Sequence, residues 1–417
     1  MDLAPLPPLV PLPTDAPLWV AYGVPCTKGN QPICNADAAL RVLECDLSLR
    51  DTIWFDTFLH RIYSTWSLPE GTPARAWQDH DGQRLLIFLQ REIGLSKMSK
   101  SAVEDALAVF VQSHRKHVVR EWLTTLTWDA TPRIASCLTA LFGAPDTPYV
   151  HAASRNFWLS LMARVMRPGC QVDHMLVLEG PQGQGKTSAL RTLGGAWYLA
   201  MNESVMTKDF FQLLPGTLIV EIAELDSFQR AELTRIKQAI STPSDTYRAS
   251  YGRLPQTYTR QCVFVGTTNE LHYLRDMTGS RRFWPIPCGV IDLPALTAQR
   301  EQLFAEALAQ YKAGDPWWTM PADTLAEQEA RREEDAWEAP LRGFLLDRIE
   351  VTVADVLCDG LKMPLSQIRR SEQQRAAAIL RKLGWERVTV RHGDQYVKRW
   401  RPKDRQPGED AEIDFHA

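Results

Sequence analysis

Residues 180–187 read GPQGQGKT and satisfy G-x-x-x-x-G-K-[ST] through Gly180, Gly185, Lys186 and Thr187. That spacing suits phosphate chemistry. Glycines let backbone N–H groups curl around a phosphate without side-chain clash, a lysine adds charge at the β and γ oxygens, and a hydroxyl offers itself to Mg²⁺. The context agrees, because HMLVLE predicts a strand before the loop and TSALRTL a helix after it. Gly180, Pro181, Gln182, Gly183, Gln184, Gly185, Lys186, Thr187 and Ser188 are therefore the candidate nucleotide-binding residues.

A nucleoside triphosphatase also needs acids to hold the cation and polarise water. TLIVEIAELD supplies them: Glu221 closes an apolar run, and Glu224 and Asp226 follow. Clustered carboxylates repel one another unless a cation sits between them. Glu221, with Thr187, is the candidate metal residue, and Glu224 the candidate for water; alternatively, Glu224 and Asp226 open the next helix as N-terminal acids. A third strand, RQCVFVGTTNE, ends in Thr267, Thr268 and Asn269. Asn269 is the candidate γ-phosphate sensor, although a terminal asparagine also suits a plain turn. In RDMTGSRRFWPI, Gly279 and Ser280 present Arg281 and Arg282 from a loop, which invites an arginine-finger role.

The elements that must position these groups form an α/β pattern. From residue 150 to 320 short β-branched runs alternate with helical segments, which predicts a parallel sheet covered on both faces. Before it, residues 18–149 read as a helical accessory domain, with amphipathic runs in NADAALRVLECD, DTIWFDTFLHRIYSTW, DGQRLLIFLQREIGL and SAVEDALAVFVQSHRK. Residues 1–17 form a proline-rich leader, 321–340 a charged helical connector, and 403–417 a polar tail. Between them, residues 341–402 read as helices followed by a basic hairpin turning at His392, Gly393 and Asp394, which predicts a small winged-helix-like domain. Its basic excess includes Arg375, Lys382, Arg391 and Lys398, which would face solvent and meet duplex phosphates. The same surface could instead dock on the acidic connector EQEARREED.

Composition removes several function classes. No apolar run approaches the roughly 20 residues that span a bilayer, and MDLAPLPPLVPLP lacks the positive segment of a secretory signal. A cytoplasmic protein without a membrane partner is expected. The 8 cysteines include no CxxC pair, which argues against a zinc ribbon or a disulfide framework. A formal net charge of −3 announces no basic protein, so contact with nucleic acid must rest on local patches.

The order of phosphate loop, acidic strand, TTN strand and GSRRFW resembles the virulence-associated protein E family of phage and mobile-element proteins, grouped with the superfamily 3 helicases and primase-helicases of the AAA+ class. The likeness begins at TWDATPRI (Trp128, Asp129, Pro132, Arg133) and runs to EQLFAEALAQYKAGDPWW, about half of the chain. The resemblance implies an AAA+ core, ATP as fuel, a homo-oligomeric ring that is hexameric, and single-stranded or forked DNA as track in a bacterial host. It places Lys237 and Arg248 among DNA-facing elements, and makes YRASYGRLPQTYTRQ a pore hairpin with Arg248, Tyr251 and Arg253 near DNA, although Tyr251 would serve equally as a packing residue.

Two departures matter. The acids are spaced E-I-A-E rather than adjacent, which leaves the roles of Glu221 and Glu224 open. Many relatives carry a primase domain, whereas WQDHDGQ (Asp79, His80, Asp81) reads here as a polar turn, so a separate primase or replication partner is expected. The function that follows is an ATP-driven replicative helicase or translocase. The alternatives are a regulatory or defence ATPase that switches assembly state, and a DNA-binding loader.

Overall fold

A computed structural model describes residues 17–228, 230–248, 254–270, 273, 280–322, 324–331, 335–392 and 395–403. The side chains of Asp226, Arg230, Ser280, Arg391, His392 and residues 395–397 are outside that description. The chain divides into two compact units, one of residues 1–271 and 281–328 and one of 272–280 and 329–417. The division falls inside the segment read as a connector.

The N-terminal part of the first unit is not purely helical. Helices α1 (Ala36–Cys45), α2 (Asp79–Arg91) and α3 (Lys100–Ser113) pack with a four-stranded sheet of order β3-β2-β1-β4, made of β1 (Ile53–Asp56), β2 (Arg61–Ser64), β3 (Arg75–Ala76) and β4 (Arg115–Lys116). The helical reading of DTIWFDTFLHRIYSTW is therefore corrected. Asp56 accepts from the backbone N–H of Phe58 at 2.9 Å and of Leu59 at 2.8 Å. That local capture competes with helix, and His60 completes the reversal with φ of 52°. The flanking Ile53, Trp54, Phe55, Ile62 and Tyr63 are residues that favour a pleated surface. Asp81, read as part of a polar turn, lies in the first turn of α2 and takes a bidentate bond from Arg75 at 2.6 and 2.7 Å.

After α4 (Val118–Thr125) and the long α5 (Pro148–Met166), the expected parallel sheet appears. Its strands are β5 (Met175–Glu179), β6 (Tyr198–Ala200), β7 (Ile219–Ile222), β10 (Val263–Thr268) and β11 (Phe283–Pro287), in the order β11-β5-β10-β7-β6. Every pairing is parallel. Strands β5, β7 and β10 are buried along their full length, as a sheet covered on both faces requires. The cover includes α5, α6 (Lys186–Gly194) and α8 (Leu293–Lys312), whose Leu303, Phe304 and Ala307 join one core with Trp158, Leu176 and Leu190.

Between β7 and β10, α7 (Arg230–Ser241) leads into an antiparallel hairpin of β8 (Ser244–Tyr247) and β9 (Gln256–Thr259). A buried bidentate pair fixes its base, Arg260 donating to both Asp245 oxygens at 2.7 Å. Only Arg260, Gln261 and Cys262 separate β9 from β10, so the hairpin is joined almost directly to the sheet.

The second unit contains α9 (Glu338–Leu345), α10 (Arg370–Lys382) and the antiparallel pair β12 (Trp385–His392) and β13 (Gln395–Pro402), with Gly393 and Asp394 outside the described residues. Leu341, Val356, Ile379, Leu380 and Trp400 form its core. All 8 cysteines are free thiols, and among the described residues no helix is long and apolar enough to cross a membrane.

Candidate active site

Parallel strands bring their carboxyl ends to one side of a sheet, and crevices form there. Glu179 at the end of β5 is in register with Thr268 near the end of β10, and Val265 of β10 with Glu221 of β7. Three chemically rich segments, remote in sequence, thereby share one edge.

The loop between β5 and α6 follows from its glycines. Gly180 takes φ of +142°, and a Cβ there would collide with Gln184 Oε1 and stand 3.0 Å from the Cys288 carbonyl oxygen. Gly185, which caps α6, has φ of +91°, a conformation that costs L side chains strain. The loop therefore curls tightly and delivers Lys186 and Thr187 as the first residues of the helix.

Lys186 is only 8% exposed. Its ammonium donates to the carbonyl oxygens of Gly180 and, at 3.0 Å, Pro181, and to Asn269 Oδ1 at 3.2 Å. Thr187 donates to Glu221 Oε1 at 2.7 Å, and Thr267 donates to the same oxygen at 2.9 Å. Glu221 is 1% exposed, and its second oxygen accepts from the hydroxyl of Tyr198. Burial and the Glu221 carboxylate hold the Tyr198 hydroxyl well above its ordinary pKa, so it stays a donor.

Lys186, Thr187, Thr267 and Asn269 border a cavity of about 400 Å³ that Gln182, Gly183 and Glu224 also line, with Glu221 and Tyr198 behind its wall. The loop is open towards it at Gly183, where an added Cβ would meet nothing within 4 Å. Glu224 is exposed and holds the left-handed conformation, with φ of 54° and ψ of 49°. Such a backbone is uncommon outside glycine and tends to be kept where function over-determines it. The two acids are thus unlike: Glu221 is buried and tied down, whereas Glu224 reaches the open cavity. A threonine hydroxyl beside a carboxylate is an oxygen donor pair of the kind hard divalent cations take.

Arg281 and Arg282 lie just before β11. Arg281 is exposed, while Arg282 donates from Nε to Ser241 Oγ at 2.8 Å and so belongs partly to the packing of α7.

The residues expected to meet DNA separate into groups. Arg248 is exposed beyond β8; Tyr251 and Arg253 lie outside the described residues. Lys237 is a correction. It is 7% exposed, with its ammonium 5.6 Å from the centre of the Phe283 ring, because it shares the inward face of α7 with Leu233, Ile236 and Ile240. Arg375 and Lys382 do not face solvent unpaired either. Arg375 makes a bidentate bond to Asp335 at 2.8 and 2.7 Å and lies over Trp337, and Lys382 pairs with Glu338 at 2.6 Å and Glu329 at 3.3 Å. The acidic segment read as a connector neutralises them, as the docking alternative expected. Lys398 is exposed, and the Arg391 side chain lies outside the description.

Tyr198 was not visible as a site residue in the sequence. It sits in a three-residue strand, and its meaning depends on the register between β6 and β7.

Three solved structures of the NrS-1 C-terminal region are similar to the chain at 13%, 14% and 14% identity. They cover 83%, 84% and 84% of this chain and 95%, 95% and 96% of their own, with TM-scores of 0.45, 0.44 and 0.45. No curated protein matches the sequence. The virulence-associated protein E-like domain matches residues 123–336, just over half of the 417 residues. The loop at 180–188, the acids of β7 and its following turn, the end of β10 and the arginines before β11 all fall inside that span. With its phosphate-loop sequence, buried acid and polar third strand drawn together within so broad a match, the chain belongs to the virulence-associated protein E-like family.

Proposed function

We propose that this chain is an ATP-driven DNA helicase or translocase of the AAA+, superfamily 3 type, serving replication of a phage, prophage or mobile element in the cytoplasm of a bacterial host. The observation that carries this reading is the linked pair of contacts Lys186–Asn269 and Thr187–Glu221, at 3.2 and 2.7 Å, which ties the glycine loop to both neighbouring acidic and polar strands. Those contacts gather an ammonium, a hydroxyl and a carboxylate, the groups that phosphate and a divalent cation call for, around the end of one loop.

The open loop at Gly183, the oxygen pair at Thr187 and Glu221 and the ammonium of Lys186 fit ATP with magnesium. When bound, magnesium would neutralise charge on the phosphate oxygens. Residues 180–188 would cradle the phosphates through backbone N–H groups and the α6 N-terminus. Lys186 would shift from the loop carbonyls towards the β and γ oxygens. Glu224, exposed to the cavity, would take the proton of the attacking water, and Asn269 would orient that water against the γ-phosphate. Arg281 would enter the site of a neighbouring subunit in a hexameric ring.

Force on DNA would pass through the β8–β9 hairpin. Its base is clamped by Arg260 and Asp245, and Arg248 follows β8 directly, exposed; Tyr251 and Arg253 lie outside the described residues. The second unit would act as a winged-helix-like DNA module through Lys398 and Arg391.

The reading is tested by ATP hydrolysis with and without forked DNA, alongside strand displacement from the fork. DNA-stimulated hydrolysis and displacement, both lost in Lys186→Ala, are expected. Hydrolysis indifferent to DNA would favour an assembly-state switch, and DNA binding without displacement a loader.

A further inference from the structure

Glu221 is gripped by hydroxyls from three separate elements: Thr187 of α6 and Thr267 of β10 on Oε1, and Tyr198 of β6 on Oε2. Thr187 and Thr267 border the cavity, whereas Tyr198 reaches the carboxylate from the edge of the sheet. The register explains how. Strand β6 runs parallel to β7 with Ala200 opposite Glu221 and Tyr198 opposite Ile219. Residues two apart share a face of a strand, so Tyr198 lies diagonal to Glu221 on the same side, a gap a long aromatic side chain spans.

The ring itself is seated against α6. A Cβ added at Gly194 would come within 2.6 Å of Tyr198 Cβ, and the Arg191 guanidinium stands 5.7 Å from the ring centre. The helix whose first turn presents Lys186 and Thr187 therefore also fixes, at its far end, the tyrosine that holds Glu221.

We propose that Tyr198 is a positioning residue for the divalent cation: by holding Glu221 Oε2 from the sheet edge, it sets the rotation of the carboxylate and keeps Oε1 turned towards Thr187. The terminal torsion of a glutamate is broad, so a carboxylate held on one oxygen alone can swing away from its partner. Hydrogen bonds that orient a metal ligand from behind are worth roughly 10- to 100-fold in metal affinity. The inference rests on the reading of Thr187 and Glu221 as the cation site and adds to it a residue on a strand that carries no motif.

Tyr198→Phe keeps the ring, its seat on Gly194 and its contact with Arg191, and removes only the hydroxyl. Mn²⁺ binding to the full-length protein with bound nucleotide, followed by electron paramagnetic resonance, should weaken by about tenfold or more in this variant. Nucleotide binding in EDTA should stay close to wild type, while the melting temperature should fall modestly, because the buried Glu221 carboxylate loses one hydrogen bond. Gly194→Ala, which retains the hydroxyl but displaces the ring, should weaken Mn²⁺ in the same direction, and it serves as the second variant if Tyr198→Phe folds poorly. Glu221→Gln separates the two levels. If it too leaves Mn²⁺ binding unchanged, the cation-site reading fails. If Glu221→Gln weakens Mn²⁺ while Tyr198→Phe does not, the inference alone is overturned, and a drop in melting temperature without loss of Mn²⁺ would assign Tyr198 to packing.

Discussion

Lys186 Nζ lies 3.2 Å from Asn269 Oδ1, so the loop after β5 and the end of β10 are joined through a nearly buried ammonium. The same ammonium donates to Gly180 and Pro181 carbonyls. Lysine at this position would pass in the sequence for a surface group of small structural value, yet here it holds the loop closed. Lys186→Ala should abolish hydrolysis and also lower stability by about 1–3 kcal/mol, the usual loss when a charged hydrogen-bonding partner is removed. Asn269→Ala, which removes one of its acceptors, should cost less stability but still slow hydrolysis. Activity assays paired with thermal melts check both, and a fully active Lys186→Ala would remove the basis of the functional reading.

How far such a site could be read in advance depended on distance along the chain. The strands β5, β7 and β10 are apolar runs with β-branched residues, so the loop after β5, Glu221 and Asn269 could be picked out as candidates, and the strand register brings them to one edge. Segment 51–66 misled because its aromatic and aliphatic residues also fit a helical period; the decision was made by Asp56, which captures the N–H groups of Phe58 and Leu59, and by Val118, whose N–H also reaches Asp56 at 2.9 Å from far along the chain. Lys237 was placed among DNA-facing elements by the family resemblance alone, which says nothing of the face of α7 that it shares with Leu233, Ile236 and Ile240. Tyr198 was silent because a short edge strand acquires its register only from β7.

The contrast between the two acids predicts different defects. Glu221 is buried and bonded to Thr187, Thr267 and Tyr198, and Glu224 is exposed in a left-handed turn at the cavity wall. Glu221→Gln should raise the Mg²⁺ concentration needed for hydrolysis. Glu224→Gln should leave nucleotide and Mg²⁺ binding intact and slow turnover by about 10²–10⁴, the range of a lost general base. Titrating Mg²⁺ against rate in the two variants checks the division; the reverse pattern would exchange the two roles.

Arg281 and Arg282 should also part company. Arg282 is bonded to Ser241 at the end of α7, whereas Arg281 is exposed. Arg281→Ala should leave the melting temperature and ATP binding unchanged while reducing hydrolysis by about 10³–10⁵, as expected for a finger supplied in trans. Arg282→Ala should show a lower melting temperature first. Doping Arg281→Ala subunits into wild-type protein should depress activity beyond their share. A strictly proportional loss would mean that each subunit hydrolyses on its own.

In the second unit the basic residues are unequal in their freedom to meet phosphate. Arg375 is engaged by Asp335 and stacked on Trp337, and Lys382 is engaged by the buried Glu338 and by Glu329. Arg399 and Arg401 both bond Glu350, at 2.5 and 2.7 Å. An arginine already paired releases little when it meets a phosphate, because it must first give up its carboxylate. Lys398, exposed on β13, carries no such cost. Lys398→Ala should therefore weaken duplex DNA binding and shift the slope of log K against log salt by about 0.9, the contribution of one neutralised phosphate. Arg375→Ala and Lys382→Ala should leave that slope where it was and lower the melting temperature instead, Lys382→Ala by the loss of a charged bond worth about 1–3 kcal/mol. Binding titrations across a range of KCl concentrations, read beside melting curves, distinguish these outcomes. If Arg375→Ala and Lys382→Ala flatten the slope while Lys398→Ala does not, the ion pairs with the acidic segment open on DNA, and the second unit reads DNA with the face that those pairs now cover.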